Sequence, residues 1–425
     1  MEVGIIGGGG HVGLPTGLVL ADAGFSVTLI DKDRERLNTI KNGEMPFTEE
    51  GGEEILTSVL DSGMLSTSTK LASVESCDVI IIVIGTPIDE HHNPEMDNLL
   101  NAIDGIVPHL SDNQLLLLRS TIYPGTTKIV RDRLIDAEFE VGEDIYLAFT
   151  PERVTQHRAI EEIISLPQLI GAFDESSFER AESLFESFLQ AECYRMTPTE
   201  AELGKLFTNM WRYLTFAAAN EFYLIADSFA THHDVNVHRI LDQTSRNYPR
   251  FDVPSPGANV GGPCLTKDGW FLIDNIPYNE LVSAAYQINE GMPAKIVESM
   301  TERSPNPEKI AILGMTFKAD SDDTRNSVSF KLDKVLKRKG YDTVIKVEPN
   351  REEFDDLNGI TDSDWVILMT PHQEFSDLSA IVDRVDPNCL FCDVWGFWEE
   401  FQYESDNGFF SAREVAVDSS ITSKQ

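Results

Sequence analysis

Short, continuous apolar runs bounded by turn residues alternate with helical patterns in the first part of the chain. The runs cover residues 3–6, Ser26–Ile30, 79–84 and Leu115–Leu118. Runs of this length are typical of strands that are buried on both faces of a parallel sheet. A helical pattern over 12–23 separates the first two. Residues 1–175 are therefore predicted to form a Rossmann-like, doubly wound α/β domain.

The middle of the chain has a helical period from about residue 199 to 232. Its apolar positions are Leu203, Leu206, Phe207, Met210, Leu214, Ala217 and Ala218. Thr199 followed by Glu202 predicts a capping box at the start of this helix. A helix of this length normally packs along another large surface. We therefore expect a central helix that links two domains and forms the interface of a homodimer.

A second α/β pattern begins near Lys309. The predicted strands are Ile310–Leu313, 343–347, 365–369 and 390–393, and a predicted helix covers 331–339. The predicted fold is α/β, with two Rossmann-like doubly wound parallel-sheet domains joined by a helical domain with a long central helix. The predicted boundaries are 1–175, 176–300 and 301–425.

The charge balance is strongly acidic and changes the list of expected partners. The chain has 34 basic and 71 acidic residues, for a net charge of −37, which argues against nucleic acid or an anionic membrane as a partner. The acidic residues are scattered, which fits an ordinary cytosolic protein but favours one from a salt-adapted organism. Met1 leads almost directly into a strand, so we expect no signal peptide and a cytoplasmic location.

Five cysteines do not suggest a disulfide framework. Cys389 and Cys392 have the CxxC spacing of zinc and redox sites, but they lie in an apolar, strand-like run without a second pair. Reduced thiols in a cytosolic protein are the simpler interpretation, and we predict no metal site.

A glycine-rich segment follows the first predicted strand and opens the first helix. It reads Gly8-Gly9-Gly10-His11-Val12-Gly13, which matches GxGxxG, and Asp31 lies 18 residues beyond Gly13 at the end of the second strand. This context predicts a dinucleotide site with the pyrophosphate at the helix N-terminus. The Asp31 carboxylate can accept from a ribose 2′-hydroxyl and would repel a 2′-phosphate, so NAD is favoured over NADP. Lys32 and Arg34 leave NADP as the alternative.

A cysteine far from this segment carries the second chemical signal. Cys264 lies in Gly261-Gly262-Pro263-Cys264-Leu265-Thr266-Lys267-Asp268, where it could be a covalent nucleophile. A nicotinamide cofactor alone oxidises an alcohol to an aldehyde. A thiol permits a further oxidation, because a thiohemiacetal is again a hydride donor.

Seven ordered motifs resemble one family, the UDP-sugar 6-dehydrogenases, which include UDP-glucose and UDP-N-acetylmannosamine dehydrogenases. The resemblance runs from residue 3 to about 398. The motifs are the glycine loop with Leu14-Pro15; Gly85-Thr86-Pro87; Ser120-Thr121-Ile122-Tyr123-Pro124-Gly125-Thr126; Pro151-Glu152-Arg153-Val154; Glu202-Leu203-Gly204-Lys205-Leu206-Phe207-Thr208-Asn209; Gly261-Gly262-Pro263-Cys264; and Phe317-Lys318-Ala319-Asp320 with Asp322-Asp323-Thr324-Arg325.

The resemblance implies an NAD-dependent four-electron oxidation of R–CH2OH to R–COO−, a dimeric helical core and a C-terminal UDP-binding domain. Cys264 matches the nucleophile, Lys205, Asn209 and Asp268 match groups that position hydroxyl and water, Thr121 lies near the reacting centre, and Glu152 is associated with thioester hydrolysis. The implied cofactor contacts are Gly8, Gly10, His11, Val12, Gly13, Asp31, Thr86, Pro87 and Thr121. The implied substrate contacts are Arg153, Lys205, Asn209, Arg250, Gly261, Lys318 and Arg325.

The residue chemistry agrees with several of these roles. Lys205 and Asn209 are four apart on a predicted helix, so they share a face and could hold a developing alkoxide. A nearby ammonium group would favour the thiolate of Cys264, and Glu152 could act as a general base. Arg325 could bind a phosphate or could instead pair with a neighbouring aspartate.

The motifs agree with two branches of the family, which differ in the sugar of the substrate. Glu152-Arg153-Val154, Gln156, the Pro249–Gly262 segment and Trp270-Phe271 follow the N-acetylhexosamine branch, whereas Pro263 and Thr266-Lys267-Asp268 follow the UDP-glucose branch. We expect UDP-N-acetyl-D-mannosamine or another UDP-N-acetylhexosamine, with UDP-glucose as the alternative.

Two other functions would also fit part of the sequence. A two-electron 3-hydroxyacid dehydrogenase shares the first domain and a long helix with Lys and Asn four apart, but it has no use for Cys264. A non-enzymatic NAD-binding sensor would not need Lys205, Asn209, Cys264 and Asp268 together. The number of NADH formed per substrate distinguishes these functions.

Overall fold

A computed structural model describes residues 1–87, 95–230, 232–273, 276–398, 401, 403 and 405–415. The chain forms two compact units. Residues 1–208 and 267–277 make up the first unit. Residues 209–266 and the chain from Tyr278 onward make up the second.

The first unit is built on an eight-stranded sheet. Its strands are β1 (Glu2–Ile6), β2 (Ser26–Ile30), β3 (Leu65–Ser68), β4 (Val79–Ile82), β5 (Leu115–Leu118), β6 (Tyr146–Phe149), β7 (Gln168–Ala172) and β8 (Cys193–Met196). Their order is β3-β2-β1-β4-β5-β6-β7-β8, and only β6 and β7 pair antiparallel. Every residue of β4, β5 and β6 is buried, as the continuous apolar runs of β4 and β5 predicted. The sheet continues beyond residue 175 because β8 pairs with β7.

Among the described residues, seven α-helices lie between successive strands of this sheet in the chain. They are α1 (Gly13–Asp22), α2 (Arg34–Lys41), α3 (Gly52–Asp61), α4 (Asp97–Ile106), α5 (Thr126–Asp136), α6 (Ala159–Ser165) and α7 (Glu175–Glu186). Nine of the ten residues of α1 are buried, which is why its sequence is apolar almost all round.

The long helix α8 (Pro198–Ala230) is confirmed, but the predicted capping box is wrong. Thr199 already lies inside the helix. The reciprocal bonds are made by Thr197 and Glu200: the Thr197 N–H donates to Glu200 Oε2 over 2.8 Å, and the Glu200 N–H donates to Thr197 Oγ1 over 3.4 Å. The observed capping pair has the same residue types as the predicted pair, Thr199 and Glu202, but lies two positions earlier in the chain.

The second unit contains the smaller sheet. The remaining elements are α9 (Val237–Ser245), α10 (Leu265–Ile273), α11 (Glu280–Arg303), β9 (Ile310–Leu313), α12 (Ser329–Arg338), β10 (Val344–Val347), β11 (Trp365–Leu368), α13 (Leu378–Val382), β12 (Leu390–Cys392) and β13 (Phe409–Ser411). The strand order is β10-β9-β11-β12-β13, and all pairs are parallel except β12 with β13. Most of α10 belongs to the first unit. Two largely parallel α/β sheets with a helical region between them in the chain confirm the predicted fold class.

The CxxC pair belongs to the core of the second unit. Cys389 is 0% exposed and Cys392 is 1% exposed, and the two pack in different apolar clusters. Burial raises the pKa of both thiols. The two cysteines are therefore apolar side chains of the core and are not arranged as two ligands of one metal ion.

Among the described helices, none combines the length and the apolar character needed to cross a membrane.

Candidate active site

The glycine loop after β1 is shaped by close backbone approaches. A Cβ on Gly13 would lie 2.3 Å from the carbonyl oxygen of Gly7, and a Cβ on Gly8 would lie 2.8 Å from Cα of Leu29. The nearest atom to a Cβ on Gly10 is 3.4 Å away. Gly8 and Gly13 are thus required by packing, whereas Gly10 leaves the loop open on the side that a pyrophosphate would approach.

Asp31 lies directly after β2 and holds the same loop. Its Oδ2 accepts the N–H of Gly9 over 3.0 Å, and its Oδ1 accepts the N–H of Asp33 over 3.0 Å. A carboxylate has further lone pairs for a ribose hydroxyl. The open loop, the start of α1 and this carboxylate fit an adenosine diphosphate of the NAD type.

The carboxyl ends of β4 and β5 bring two more predicted residues together. The Thr86 hydroxyl donates to the carbonyl oxygen of Thr121 over 2.5 Å. The Ser120 hydroxyl accepts the N–H of Ile84 over 2.7 Å. These loops lie beside the point where the strand order reverses between β1 and β4, which is where doubly wound sheets bind dinucleotides. Near the glycine loop, the His11 ring packs against the ring of Phe47 at a tilt of 34°, with the ring centroids 4.1 Å apart.

Glu202 fixes the segment that follows Thr121. It is 1% exposed, and it accepts the N–H of Gly125 over 2.6 Å and the N–H of Thr127 over 2.8 Å. The Thr127 hydroxyl donates to it as well. This buried carboxylate therefore caps the N-terminus of α5, a contact that the sequence pattern did not reveal.

Glu152 is engaged in a buried ion pair. Arg119 Nη2 donates to Glu152 Oε2 over 2.6 Å, and the N–H of Val154 donates to Oε1 over 2.6 Å. Arg119 also donates to the carbonyl oxygen of Thr150 and to Gln168. Sequence reasoning missed Arg119. The pattern that could have indicated Arg119 is a single cation directly after the buried strand β5.

Two of the three predicted substrate arginines, Arg153 and Arg250, have partners within their own units. Arg153 donates to the carbonyl oxygen of Pro167, and burial lowers the pKa of its guanidinium. Arg250 is exposed, and its guanidinium lies 4.8 Å from the ring centroid of Tyr248.

Lys205 and Asn209 lie one turn apart on α8. Lys205 is 7% exposed and Asn209 is 8% exposed. Lysine is rarely buried to this degree unless its ammonium has a specific role. The predicted spacing of an ammonium and an amide on one helix is present, with both side chains withdrawn from water.

Cys264 is exposed and immediately precedes α10. Its loop lies against the segment that follows β9. The N–H of Gly262 donates to the carbonyl oxygen of Asn326 over 3.1 Å, and a Cβ on Gly261 would lie 2.6 Å from the same oxygen. Gly262 has φ +98°, and a Cβ there would lie 2.6 Å from the ring of Phe317. Gly261 therefore serves close packing of the two segments.

A second residue of the cysteine loop, Asn259, ties it to the same segment. Its Oδ1 accepts the N–H of Val328 over 2.8 Å, and its Nδ2 donates to the carbonyl oxygen of Thr316 over 2.8 Å. Asn259 is 3% exposed, and it was not singled out from the sequence. No motif marked it, because its partners lie more than fifty residues away.

Arg325 is the cation that this packing brings towards Cys264. Its Nη2 and Nε donate to Asp323 over 2.6 and 2.9 Å. The bond to Asp323, together with the charges of Asp323, Cys264 and Asp322, raises the pKa of Arg325 despite its partial burial. A cation near a thiol is in general the setting that favours a thiolate. Of the two options considered for Arg325, the structure contains the pairing with an aspartate, Asp323, and the phosphate contact stays a prediction.

Asp268 pairs with the lysine beside it. Lys267 Nζ lies 2.9 Å from Asp268 Oδ1, and Asp268 is fully buried. The Lys267 ammonium also lies 4.7 Å from the ring centroid of Phe271. The carboxylate is thus oriented in the first turn of α10, one turn after Cys264.

One group among the described residues has spacing suitable for a metal ion. Asp320, His372 and Glu374 place one ligand atom each within 4.8 Å of one another. However, His372 Nδ1 accepts the N–H of Asp320 over 3.0 Å, and Nε2 lies 3.0 Å from Glu348. Both ring nitrogens are therefore already used.

Comparison with known proteins identifies the family of the chain. Three domains of the UDP-glucose/GDP-mannose dehydrogenase family match the chain: the NAD binding domain at residues 1–189, the central domain at 199–291 and the UDP binding domain at 311–400. The UDP-N-acetyl-D-mannosamine dehydrogenase of Methanococcus aeolicus is 32% identical over 380 residues, which cover 87% of this chain and 84% of that protein.

Solved structures show the same architecture. The UDP-D-ManNAc dehydrogenase of Pyrococcus horikoshii superposes with a TM-score of 0.83 and 30% identity, covering 91% of this chain and 93% of the other. The UDP-N-acetyl-mannosamine dehydrogenase of Staphylococcus aureus gives a TM-score of 0.81 and 28% identity over the same shares.

The fold and the matched family domains together define an NAD-dependent nucleotide-sugar dehydrogenase, an oxidoreductase. The chain belongs to the UDP-glucose/GDP-mannose dehydrogenase family. The predicted family, enzyme class and NAD cofactor are thereby confirmed.

Proposed function

We propose that this protein oxidises the C6 hydroxymethyl group of a UDP-N-acetylhexosamine, with UDP-N-acetyl-D-mannosamine as the first candidate, to the uronate through a covalent intermediate on Cys264. The observation that carries the proposal is the exposed Cys264, which precedes α10 and interacts electrostatically with Arg325. A cysteine at a helix N-terminus beside a cation is in the setting that produces reactive thiolates.

The first oxidation needs a group that holds the substrate oxygen as it loses its proton. Lys205 and Asn209 supply an ammonium and an amide at one helix turn's spacing, and their burial strengthens the electrostatic interaction. Bound NAD+ would accept a hydride in each of the two oxidations. The residues suited to hold it are Asp31, Gly10 and Thr86.

The covalent steps use Cys264, and Glu152 is proposed to act in hydrolysis. The sulfur attacks the aldehyde carbon, and the carbonyl oxygen takes up a proton to give a thiohemiacetal. In the second oxidation the adduct carbon would give its hydride to a second NAD+ and the hydroxyl group would lose its proton to solvent, which leaves a thioester. Water then attacks the thioester carbon, Glu152 accepts its proton, and the C–S bond breaks to release the thiolate and the carboxylic acid, which ionises to the carboxylate. Arg119 keeps the Glu152 carboxylate in place, and Asp268 orients the water.

The relatives support the choice of an N-acetylated sugar. Those from Methanococcus aeolicus and Pyrococcus horikoshii are UDP-N-acetyl-D-mannosamine dehydrogenases. In this chain, Gln156 offers an amide that can donate to an acetamido carbonyl and accept from its N–H. Arg153 and Arg250 are proposed to contact the sugar, and Lys318 and Arg325 the diphosphate.

We further propose a cytoplasmic homodimer assembled through α8. Five large apolar side chains of this helix are at least one-third exposed, namely Phe207, Trp211, Phe222, Ile225 and Phe229. Their spacing places them along one side of the helix. A second copy of the chain would remove this stripe from water.

The decisive experiment counts NADH per sugar for UDP-ManNAc, UDP-GlcNAc, UDP-glucose and UDP-galactose in molar salt. We expect two NADH per sugar and the highest kcat/KM for an N-acetylated substrate. One NADH per sugar would favour the two-electron dehydrogenase, and a higher kcat/KM for UDP-glucose would move the protein to that branch.

Cys264→Ser tests the covalent step. We expect the variant to stop at or just after the first oxidation, because a serine hydroxyl is a much poorer nucleophile than a thiolate near neutral pH. Cys193→Ser is the matched control at a partly buried cysteine and should still form two NADH. Full stoichiometry at the normal rate in Cys264→Ser would exclude the covalent mechanism.

A further inference from the structure

Two buried side chains lie behind the loop that carries Lys318. Glu348 directly follows β10, and His372 follows β11, so both lie at the carboxyl edge of the smaller sheet, as does the loop after β9. Glu348 is 2% exposed and His372 is 0% exposed. A buried acid and a buried imidazole need a specific arrangement of partners to be tolerated, and these two have one.

Glu348 binds the beginning of the loop. Its Oε2 accepts the N–H of Met315 over 2.8 Å and the N–H of Thr316 over 3.0 Å. In the first unit, Asp31 follows the second strand of its sheet and accepts an N–H of the glycine loop in the same manner. The second carboxylate differs because its side chain is 0% exposed. It is thus an anchor for the loop and is not available to a ribose.

His372 binds the end of the same loop. Its Nδ1 accepts the N–H of Asp320 over 3.0 Å. Because a backbone N–H can only donate, Nδ1 carries no proton, and the proton of the neutral ring lies on Nε2. Nε2 lies 3.0 Å from Glu348 Oε2, so the imidazole links the carboxylate to the loop.

The bond from Asp320 holds a conformation that the residue would not adopt freely. Asp320 has φ +55°, in the left-handed region that disfavours most residues other than glycine. Its Oδ1 also accepts the N–H of Gln373 over 2.9 Å. Between the two anchors, the Thr316 hydroxyl donates to the carbonyl oxygen of Lys318 over 3.0 Å. Residues 315–320 are therefore fixed at both ends and at Lys318 itself.

We propose that Glu348 and His372 are positioning residues that set the backbone of residues 315–320, so that Lys318 meets the diphosphate of the substrate. The inference rests on the proposed function, in which Lys318 is a phosphate contact. It assigns to the His372–Glu348 pair a role in nucleotide affinity without contact with the nucleotide.

The test uses two substitutions, each of which keeps one of the two hydrogen-bonding functions of the imidazole. His372→Gln keeps a donor near Nε2 for Glu348 but removes the acceptor for the N–H of Asp320. His372→Asn keeps an acceptor near Nδ1 and removes the donor. The affinity of the full-length protein for UDP alone and for NAD is measured by calorimetry.

We expect His372→Gln to lower the affinity for UDP about tenfold, which corresponds to one lost buried hydrogen bond. We expect His372→Asn to retain most of the affinity for UDP. NAD affinity, which reports on the first unit, should not change. Unchanged UDP affinity in His372→Gln overturns the proposal. An equal loss of UDP affinity in both variants with unchanged NAD affinity also overturns it, because the acceptor at Nδ1 would then not be the group that matters.

A double-mutant cycle with Lys318→Met separates this inference from the proposed function. If His372 acts by presenting Lys318, the effect of His372→Gln should shrink in the Lys318→Met background. Full additivity would overturn the link between the two residues. If Lys318→Met alone leaves UDP affinity unchanged, the phosphate contact itself is wrong. The NADH stoichiometry then still tests the oxidation independently.

Discussion

Asp31 shows how one side chain can serve both the fold and the site. Its two oxygens accept the N–H groups of Gly9 and Asp33, and its remaining lone pairs are proposed to accept from a ribose hydroxyl. The sequence predicted the second use from spacing alone. The first use became visible only in the folded loop, because it depends on how close the loop after β1 approaches the end of β2.

Asp31→Ala should weaken NAD binding without an equal loss of UDP-sugar binding. The loss of one charge-assisted hydrogen bond costs about 1.5–3 kcal/mol, which is roughly 10- to 150-fold in the dissociation constant. Asp33→Ala is the matched control, since it removes an exposed carboxylate that caps α2 and pairs with Arg36. Unchanged NAD affinity in Asp31→Ala would remove this residue from the cofactor site.

Arg325 is the second residue whose role can be tested separately. We expect Arg325→Gln to slow alkylation of Cys264 by iodoacetamide near neutral pH and to shift the rate profile to higher pH, because a cation that favours the thiolate is lost. Burial raises the pKa of Cys77 and Cys193 to about 11, so the exposed Cys264 dominates the reaction. Arg246→Gln, which breaks an exposed ion pair with Asp242, is the control. Identical profiles for Arg325→Gln and the unmodified protein would contradict the electrostatic role.

At the scale of secondary-structure elements, strands and helices agreed with the sequence to within about two residues where patterns were strong. β2, β5 and β9 have the predicted bounds, because a continuous apolar run flanked by polar residues leaves little choice of register. The ends of helices were less certain. The capping box was misplaced at the start of α8, and Glu202 turned out to cap α5 instead.

Glu202→Ala tests this cap. Three donors would lose their buried acceptor, so we expect the free energy of unfolding to fall by about 3 kcal/mol. Glu200→Ala, which removes the exposed cap of α8, should cost about 1 kcal/mol. Urea denaturation of both variants gives the comparison. Equal losses would mean that the buried cap of α5 contributes no more than an exposed one.

At the scale of the whole molecule, the charge of −37 should govern stability. Crowded carboxylates repel one another when the Debye length is about 30 Å at 0.01 M salt, and the repulsion falls as that length shortens to about 3 Å at 1 M. A dimer concentrates the charge further.

We therefore predict that activity and the thermal midpoint rise from low salt into the molar range, and that the dimer fraction measured by sedimentation rises with them. Potassium chloride and sodium chloride serve as matched salts, since screening depends on ionic strength and not on the cation. Flat or falling values in both salts would rule out the salt-adapted interpretation of the acidity.

The sequence by itself determined the two α/β sheets, the long helix, the NAD loop and the cysteine loop. These features depend on local periodicity and on short motifs, which a linear pattern records directly. Family motifs also identified Lys205, Asn209 and Asp268, all of which are buried in the structure.

Tertiary structure alone decided which partners these groups have. It paired Glu152 with Arg119, brought Arg325 to Cys264, and joined Glu348 to His372. The partners in these pairs lie between 24 and 61 residues apart in sequence. Two of the pairs, Glu152 with Arg119 and Glu348 with His372, are buried hydrogen bonds, for which a missing partner costs more than the bond itself contributes. No local pattern encodes such pairs, because the sheet and its loops must be assembled before the side chains can meet.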